Sequence, residues 1–335
     1  MQRRRPTLVD VATAAGVSRS TASRAINDHP RVAPEVRQRV HQAVEKLGYH
    51  PDPAARALAS GATQRRTRTD TLELAVVEDC AKAFGANPFY GRVLEGVLEA
   101  LTGTDARMRV HVVGTADAPR ALDDLSRTAG FGALLVNVDA ALARRFHQRC
   151  PRVVSLGRSA PFVPFTEPEN LVGGRMAVRH LIDNGRRRIA AIDGRMNLPC
   201  AVDRHTGYLN QMREAGLRPL WAVGDYSREG GVAATHRLLA EQPDIDAIFA
   251  ACDLSATGVL QALAEAGRKV PDDVAVVGFD GSLLAACTNP PLTSVCQPVE
   301  EMTANAVRQL LADRVKDRWY QSFPVSLAVR QSSAA

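Results

Sequence analysis

The 335-residue chain carries 42 Lys+Arg against 36 Asp+Glu, a formal net charge of +6, with 45% hydrophobic and 5% aromatic residues. It is too long for one small domain, and its charge is uneven: residues 1–68 hold 13 basic and 5 acidic side chains, a net of +8, leaving −2 for the remainder. An apolar run of 18 residues, an apolar signal core and a Cys-x-x-Cys pair are all missing from the sequence, which argues against a membrane span, an export signal, a disulfide framework or a zinc site and for a cytoplasmic protein.

The first predicted elements are three helices in about fifty residues, the size of a minimal DNA-binding head. Thr7 followed by Asp10 is a capping box, and it opens a helix with Leu8, Val11, Ala12 and Ala15 on one face. Gly16 supplies the turn. Ser18 then caps a second helix that carries Arg19, Ser20, Thr21, Ser23 and Arg24 outward, with Ala22, Ala25 and Ile26 inward. A short helix bearing small polar groups and arginines suits the major groove of DNA. A third helix opens with Pro34 and Glu35, repeats apolar residues from Val36 to Leu47, and stops at Gly48. Residues 52–60 have the length of about two and a half helical turns, too short to persist alone in water. Residues 61–70 are polar, small and charged, and read as a linker. The basic excess of this region joined to a near-neutral remainder is the footprint of a nucleic-acid binder coupled to a sensor, although Arg3-Arg4-Arg5 alone is also what a solvated face looks like.

Behind the linker, short β-rich runs alternate with amphipathic stretches. Strands are predicted at 72–77, 109–113, 133–138, 152–156, 188–192, 220–223, 247–251 and 274–279, with helices at 89–101, 120–128, 141–149, 173–184, 203–215, 230–241, 254–266 and 299–315. Strands that are apolar on both faces, each followed by a helix, imply parallel sheets covered on both sides. Two such sets imply two α/β lobes, and ligands in such sheets bind beyond the carboxyl ends of the strands.

The run from Thr7 to Arg24, Thr-Leu-x-Asp-Val-Ala-x-x-Ala-Gly-Val-Ser-x-x-Thr-x-Ser-Arg, resembles the head of the lactose/galactose repressor (LacI/GalR) family of bacterial transcription regulators. So does the following Gly48-Tyr-His-Pro-Asp-Pro-Ala-Ala-Arg-Ala-Leu-Ala59. The core resembles it too, in Asn87-Pro-Phe-Tyr-Gly, Glu169-Asn-Leu-Val-Gly-Gly-Arg-Met-Ala-Val-Arg-His-Leu181, Arg204-His-Thr-Gly-Tyr208, Val276-Val-Gly-Phe-Asp280 and Pro291-Leu-Thr-Ser-Val-Cys-Gln297. The resemblance implies a small all-α helix-turn-helix head followed by a core of two doubly wound parallel-sheet lobes, like the periplasmic binding proteins. It places the head at 1–50, a hinge helix at 51–60, a linker at 61–70 and the core at 71–335. The first lobe is expected at about 71–168 plus 299–323 and the second at about 169–298 plus 324–330.

As DNA contacts the resemblance implies Thr7, Ser18, Arg19, Ser20, Thr21, Ser23, Arg24 and Asn27, with Ala55 and Leu58 in the hinge. Leu58 corresponds to a leucine that wedges into the minor groove and kinks the duplex. An ordinary linker with a stray apolar residue is the plainer reading of that segment. As effector contacts it implies Phe89, Tyr90, Arg158, Glu169, Arg204, Tyr226, Cys252, Asp253, Asp280 and Gln297. Plain packing competes for the aromatics and Cys252, and a satisfied ion pair or loop cap competes for Arg204 and Asp280. Asn137, just past a strand, also reaches toward the cleft. Glu169 stands where the family has aspartate and Cys252 where it has asparagine, so a standard hexose does not transfer.

The expected function is a transcriptional regulator, a repressor, binding a pseudo-palindromic operator as a homodimer under control of a small-molecule effector, a sugar or related metabolite, held between the lobes. Because the sequence stops soon after Arg330, a dimer rather than a tetramer is expected. A solute-binding component of a transport system is the rival from another class, and a corepressor-dependent regulator responding to a nucleobase is the rival within it. Neither a phosphate-binding loop, nor a His-Glu-x-x-His pair, nor a Gly-x-Ser-x-Gly elbow occurs, so no enzyme activity, cofactor or metal is expected.

Overall fold

A computed structural model of the chain describes residues 7–26, 32–47, 71–78, 81–312, 315 and 318–334. The expected hinge helix and linker, and the candidate contacts Asn27, Ala55 and Leu58, lie outside the described residues. The chain divides into two units, Met1–Thr67 and Arg68–Ala335.

The first unit holds α1 (Leu8–Ala15), α2 (Arg19–Ile26) and α3 (Pro34–Leu47). The capping box is present: the Thr7 N–H donates to Asp10 Oδ2 at 2.7 Å and the Asp10 N–H to Thr7 Oγ1 at 3.4 Å. Gly16 closes α1 at φ 65°, a left-handed conformation that glycine adopts without a Cβ penalty. Ser18 caps α2 by accepting from the Thr21 N–H at 3.1 Å. The helices meet through Val11, Ala12, Ala15, Ala22, Ala25, Val32, Val40 and Ala43. Most of these side chains are small, so three short helices share one core.

The second unit opens with β1 (Thr71–Val77), α4 (Ala81–Ala86), α5 (Pro88–Leu101), β2 (Arg107–Val113), α6 (Ala118–Thr128), β3 (Gly132–Val136), α7 (Ala140–Arg149), β4 (Val153–Leu156) and β5 (Phe165–Pro168). It continues with α8 (Asn170–Asp183), β6 (Ile189–Asp193), α9 (Pro199–Glu214), β7 (Leu220–Val223), α10 (Arg228–Glu241), β8 (Ala247–Ala250), α11 (Asp253–Glu265), β9 (Ala275–Asp280), α12 (Leu283–Cys287) and β10 (Thr293–Cys296). It closes with α13 (Val299–Leu311), β11 (Tyr320–Phe323) and β12 (Ser326–Ala328). The strands form two six-stranded sheets, in the orders β11-β5-β4-β3-β1-β2 and β12-β10-β9-β8-β6-β7. Every pairing is parallel except β10 with β12. β3, β4, β6, β8 and β9 are buried along their whole length, as sheets covered by helices on both faces require.

Three connections pass between the sheets: β5 to α8, β10 to α13, and β11 to β12. α13 therefore returns to the first lobe, where Val299, Met302, Val307 and Leu310 pack with Val93, Val97 and Leu74. Three departures from the predicted elements have a physical reason. β5, β10, β11 and β12 are three or four residues long and lie near prolines, so they carry too little periodicity to be seen locally, and pairing with neighbouring strands defines them. α13 stops at Leu311 rather than 315. The second lobe also runs past 330: Ser332 donates from its N–H to the Pro291 carbonyl at 2.9 Å and from Oγ to the Val276 carbonyl at 2.6 Å.

α5 and α13 touch at Gly96, where a Cβ would lie 2.3 Å from the Glu300 carbonyl oxygen and 2.8 Å from Thr303 Cβ. Gly96→Ala is therefore expected to destabilise the first lobe by about 1–3 kcal/mol, the usual cost of overpacking. Denaturant unfolding of the variant beside wild type measures it. An unchanged midpoint would mean that the two helices separate freely.

Candidate functional site

Two surfaces carry the candidate residues. On the head, α2 exposes Arg19, Ser20 and Arg24, while Thr21 and Ser23 are half-buried. Thr7 and Ser18 hold their hydroxyls in the helix caps just described, and Ser18 Oγ also lies 2.8 Å from the hydroxyls of Ser20 and Thr21. Among the described residues, α2 thus presents the side chains of Arg19 and Arg24 outward, with the Ser20 hydroxyl within hydrogen-bond distance of Ser18.

In the core, a cavity of about 390 Å³ lies between the two sheets, within the range typical of small-molecule sites. Its walls come from the carboxyl ends of strands in both lobes: Glu78 after β1, Asn137 after β3, Arg195 after β6, Asp225 and Tyr226 after β7, Cys252 after β8, Asp280 at the end of β9 and Gln297 after β10. Parallel strands all end on the same side of their sheet, so this placement follows from the topology. The amino end of α5 adds Asn87, Phe89 and Tyr90, and α9 adds Cys200 and Arg204.

Seven of the candidate effector residues line this cavity: Phe89, Tyr90, Arg204, Tyr226, Cys252, Asp280 and Gln297. Arg204 is 6% exposed and held from several sides. Its Nε donates to Asn170 Oδ1 at 2.9 Å, its Nη1 donates to the Ala251 carbonyl at 2.6 Å, and Asp280 Oδ1 lies 3.8 Å away. Its guanidinium sits 3.6 Å over the Phe279 ring, a stacking that suits a planar, weakly hydrated cation. Asp280 accepts from Gln297 Nε2 at 2.6 Å. Burial pushes its carboxyl up to about 7; Arg204 opposes the rise and Asp253 adds to it.

On the first-lobe wall, Tyr90 donates its phenol to Glu78 Oε2 and accepts from Asn137 Nδ2 at 2.7 Å. Phe84 stacks on Tyr90 at 4.8 Å and Phe89 meets it edge-on at 5.5 Å. Burial, with Glu78 adding to it, pushes the Tyr90 phenol well up, so it remains a donor. Across the cavity, Tyr226 lies against Gly194, where a Cβ would come within 1.9 Å of its ring. Cys200 Sγ is 3.6 Å from the Tyr226 hydroxyl. Cys252 caps α11 by accepting from the Ser255 N–H at 3.3 Å, and burial pushes its thiol up to about 12. It is a neutral thiol that caps the helix and also lines the cavity.

The other three candidates are placed elsewhere. Asp253 is 1% exposed, and its carboxylate accepts from the Ser282 N–H and hydroxyl and from Ser294 Oγ, at 2.7, 2.8 and 2.6 Å. It ties the start of α11 to Ser282 before α12 and to Ser294 in β10. Glu169 is exposed at the start of α8 and makes no side-chain cap. Arg158 pairs with Asp203 and does not line the cavity. Glu78, Asn87, Arg195, Cys200, Asp225, Ser227, Arg228, Glu229 and Leu254 line it and were not among the sequence candidates. The usable signal was position: Glu78, Arg195 and Asp225 each follow the carboxyl end of a strand by one or two residues.

Comparison with known proteins covers both units. The pattern of bacterial regulatory proteins, lacI family, matches residues 7–52, and that of a periplasmic binding protein-like domain matches residues 178–333. The HTH-type transcriptional regulator CelR of Thermobifida fusca is 40% identical over 331 residues, covering 94% of this chain and 93% of that protein. The ribose operon repressor of Haemophilus influenzae is 32% identical over 325 residues, covering 93% of this chain and 92% of that protein. The solved complex of a transcriptional regulator CelR with cellobiose superposes with a TM-score of 0.73 at 35% identity, covering 98% of this chain and all of that one. Among the described residues, no helix is long and apolar enough to cross a membrane.

The raised Asp280 carboxyl sets a pH dependence. A group protonated more readily when folded contributes stability below its unfolded value, and that contribution is lost as pH rises through the folded value. Wild type is therefore expected to lose stability between about pH 4 and 7 relative to Asp280→Asn, which keeps the hydrogen bond and has no charge to bury. Chemical denaturation of both proteins across that range measures the difference, and parallel curves would place Asp280 in water.

Proposed function

The chain belongs to the lacI family of bacterial regulatory proteins, and on that premise we propose that it is a sugar-responsive repressor, acting in the cytoplasm as a homodimer on a pseudo-palindromic operator. The observation that carries the effector half of this reading is the cavity itself. It places aromatic rings on one wall, Phe89 and Tyr90, and another, Tyr226, among carboxylates from both lobes and guanidinium groups from the second. Ring faces suit the C–H faces of a pyranose, and charged donors and acceptors suit its hydroxyls. Because the relative solved with a sugar holds cellobiose, the proposed effector is a disaccharide of that class. The proposed contacts are Phe89, Tyr90, Arg204, Tyr226, Asp280 and Gln297, joined by Glu78, Asn137 and Arg195. The relatives named above are regulators of transcription, and no turnover is assigned to this cavity.

In the head, the exposed Arg19, Ser20 and Arg24 of α2 are the proposed base readers, because arginine pairs bidentately with guanine in the major groove. Thr7, Ser18, Thr21, Ser23 and Asn27 are proposed to hold the backbone. Ala55 and Leu58 are proposed to meet the central minor groove, the leucine unstacking a base step. An effector changes operator affinity only through unequal affinity for two lobe arrangements.

Arg24→Ala is expected to weaken operator binding by at least about tenfold, in line with the roughly 1–3 kcal/mol of a bidentate base contact, and to affect random DNA far less. Mobility shifts on both DNAs decide it; equal losses would make Arg24 a phosphate contact.

The effector reading is tested by fluorescence anisotropy on an operator selected from random DNA. Millimolar cellobiose is expected to release the protein, and the affinity without sugar is expected to fall by about 0.9 log units per log unit of salt for each phosphate neutralised. Operator affinity that ignores cellobiose and related disaccharides would overturn the sugar assignment, and a salt slope near zero would overturn the DNA assignment.

A further inference from the structure

Among the described residues, two ion pairs cross the cleft, and their polarities are opposite. At the inner one, Glu78 beyond β1 of the first lobe faces Arg195 in the loop after β6 of the second, with Oε1–Nη1 at 3.2 Å and Oε2–Nη2 at 3.4 Å. These side chains are 12% and 19% exposed. At the outer one, Arg158 in the loop after β4 of the first lobe meets Asp203 on α9 of the second; these are 44% and 26% exposed. The first lobe thus offers a negative and a positive charge, and the second offers the reverse. Both second-lobe members lie between residues 195 and 203, in the loop and first turns of α9. That segment also carries Cys200, and Arg204 follows it directly; both reach the cavity.

We propose that these pairs form a charge-coded latch that holds the two lobes in one register, with Arg158 and Asp203 as positioning residues and Glu78–Arg195 as the part that a bound sugar displaces. Sliding or twisting one lobe on the other brings Glu78 toward Asp203, or Arg158 toward Arg195. Both are like-charge encounters, so the observed register alone satisfies all four groups. The two pairs also differ in their environment. The inner one is largely withdrawn from water and lines the cavity, so ligand hydroxyls compete for its oxygens and N–H groups. Arg195 Nε is buried without a hydrogen-bond partner among the described residues, a donor that a ligand oxygen matches. The outer pair lies away from the cavity wall and stays intact when the cavity fills. Displacement of the inner pair rests on the effector reading given above; the latch itself does not.

Hydrogen–deuterium exchange of the full chain, read by mass spectrometry on peptides spanning residues 195–204, tests it. Without sugar, Arg158→Glu and Asp203→Arg are each expected to raise exchange there several-fold, and the double reversal is expected to restore the wild-type rate. Asp203→Asn, which removes the charge without reversing it, is expected to give a smaller change of the same sign. Raising salt to 1 M is expected to loosen wild type and leave the neutral variant nearly unchanged. Single variants that exchange like wild type, or a double reversal no better protected than the singles, would overturn the latch. Cellobiose is then added to wild type. A change in exchange over the same peptides supports displacement of the inner pair, and no change overturns the displacement and the sugar assignment together, with the latch judged on the charge-reversal arm alone.

Discussion

A guanidinium taken out of water has to be met by oxygen along its donor edges, because an uncompensated buried charge costs several kcal/mol. Arg204 organises the cleft for that reason. Its bonds reach Asn170 at the start of α8 and the carbonyl of Ala251 after β8, and it lies over Phe279 in β9 with Asp280 beside it. One side chain therefore sets the mutual placement of the segments that make the second-lobe wall. The network continues into the first lobe through Asp280, whose carbonyl accepts from Arg92 Nη1 at 2.7 Å. Arg92 Nη2 donates to the Gln297 carbonyl at 2.8 Å and to Glu300 Oε2 at 2.7 Å. The cavity-lining Asp280 and Gln297 are thus bonded to groups on both sides of the crossing from β10 to α13. Arg92 on α5 of the first lobe is thereby bonded to the end of β9, to the segment after β10 and to α13.

The cavity is also where the backbone is under strain. Asn137, Tyr226 and Asp280 have φ of 58°, 69° and 117°, and all three line it. Conformations of this kind cost on the order of 1–3 kcal/mol each and persist only where the surroundings over-determine them. Here the constraints can be named. Asn137 is tied to Tyr90, Asp280 to Arg204 and Gln297, and the Tyr226 ring occupies the space that a side chain at position 194 would fill. Phe162 and Arg318, also at positive φ, hold each other instead, with the Arg318 guanidinium 4.7 Å over the Phe162 ring.

Much of the head and the layer order of the core was legible without coordinates. A capping box, a glycine turn and the spacing of Val11, Ala12, Ala15, Ala22 and Ala25 are local signals, and local hydrogen bonds realise them. The buried strands announced themselves as apolar runs because both of their faces are covered. β5, β10, β11 and β12 did not, because strands of three or four residues beside prolines carry too little periodicity and are defined by the strands they pair with. The site divides in the same way. Arg204, Asp280 and Gln297 stood in motifs that resembled a known family, and they line the cavity. Arg158, Glu169 and Asp253 were credible on the same grounds but lie outside it, since a motif records neighbours in the chain and not the direction in which a side chain leaves its loop.

What the residues by themselves determined is the kind of machine: a basic helical head, two parallel-sheet lobes, and a ligand site at the strand ends. Helix caps, charge distribution and strand periodicity depend on residues a few positions apart, so one chain suffices to state them. Tertiary structure alone decided which charges meet. Glu78 finds Arg195 across 117 positions and Arg158 finds Asp203 across 45, and whether an arginine binds a ligand or bridges two lobes depends on those encounters. Chain separation holds no information about them, because it is the packing of two independently wound sheets that brings their loops face to face.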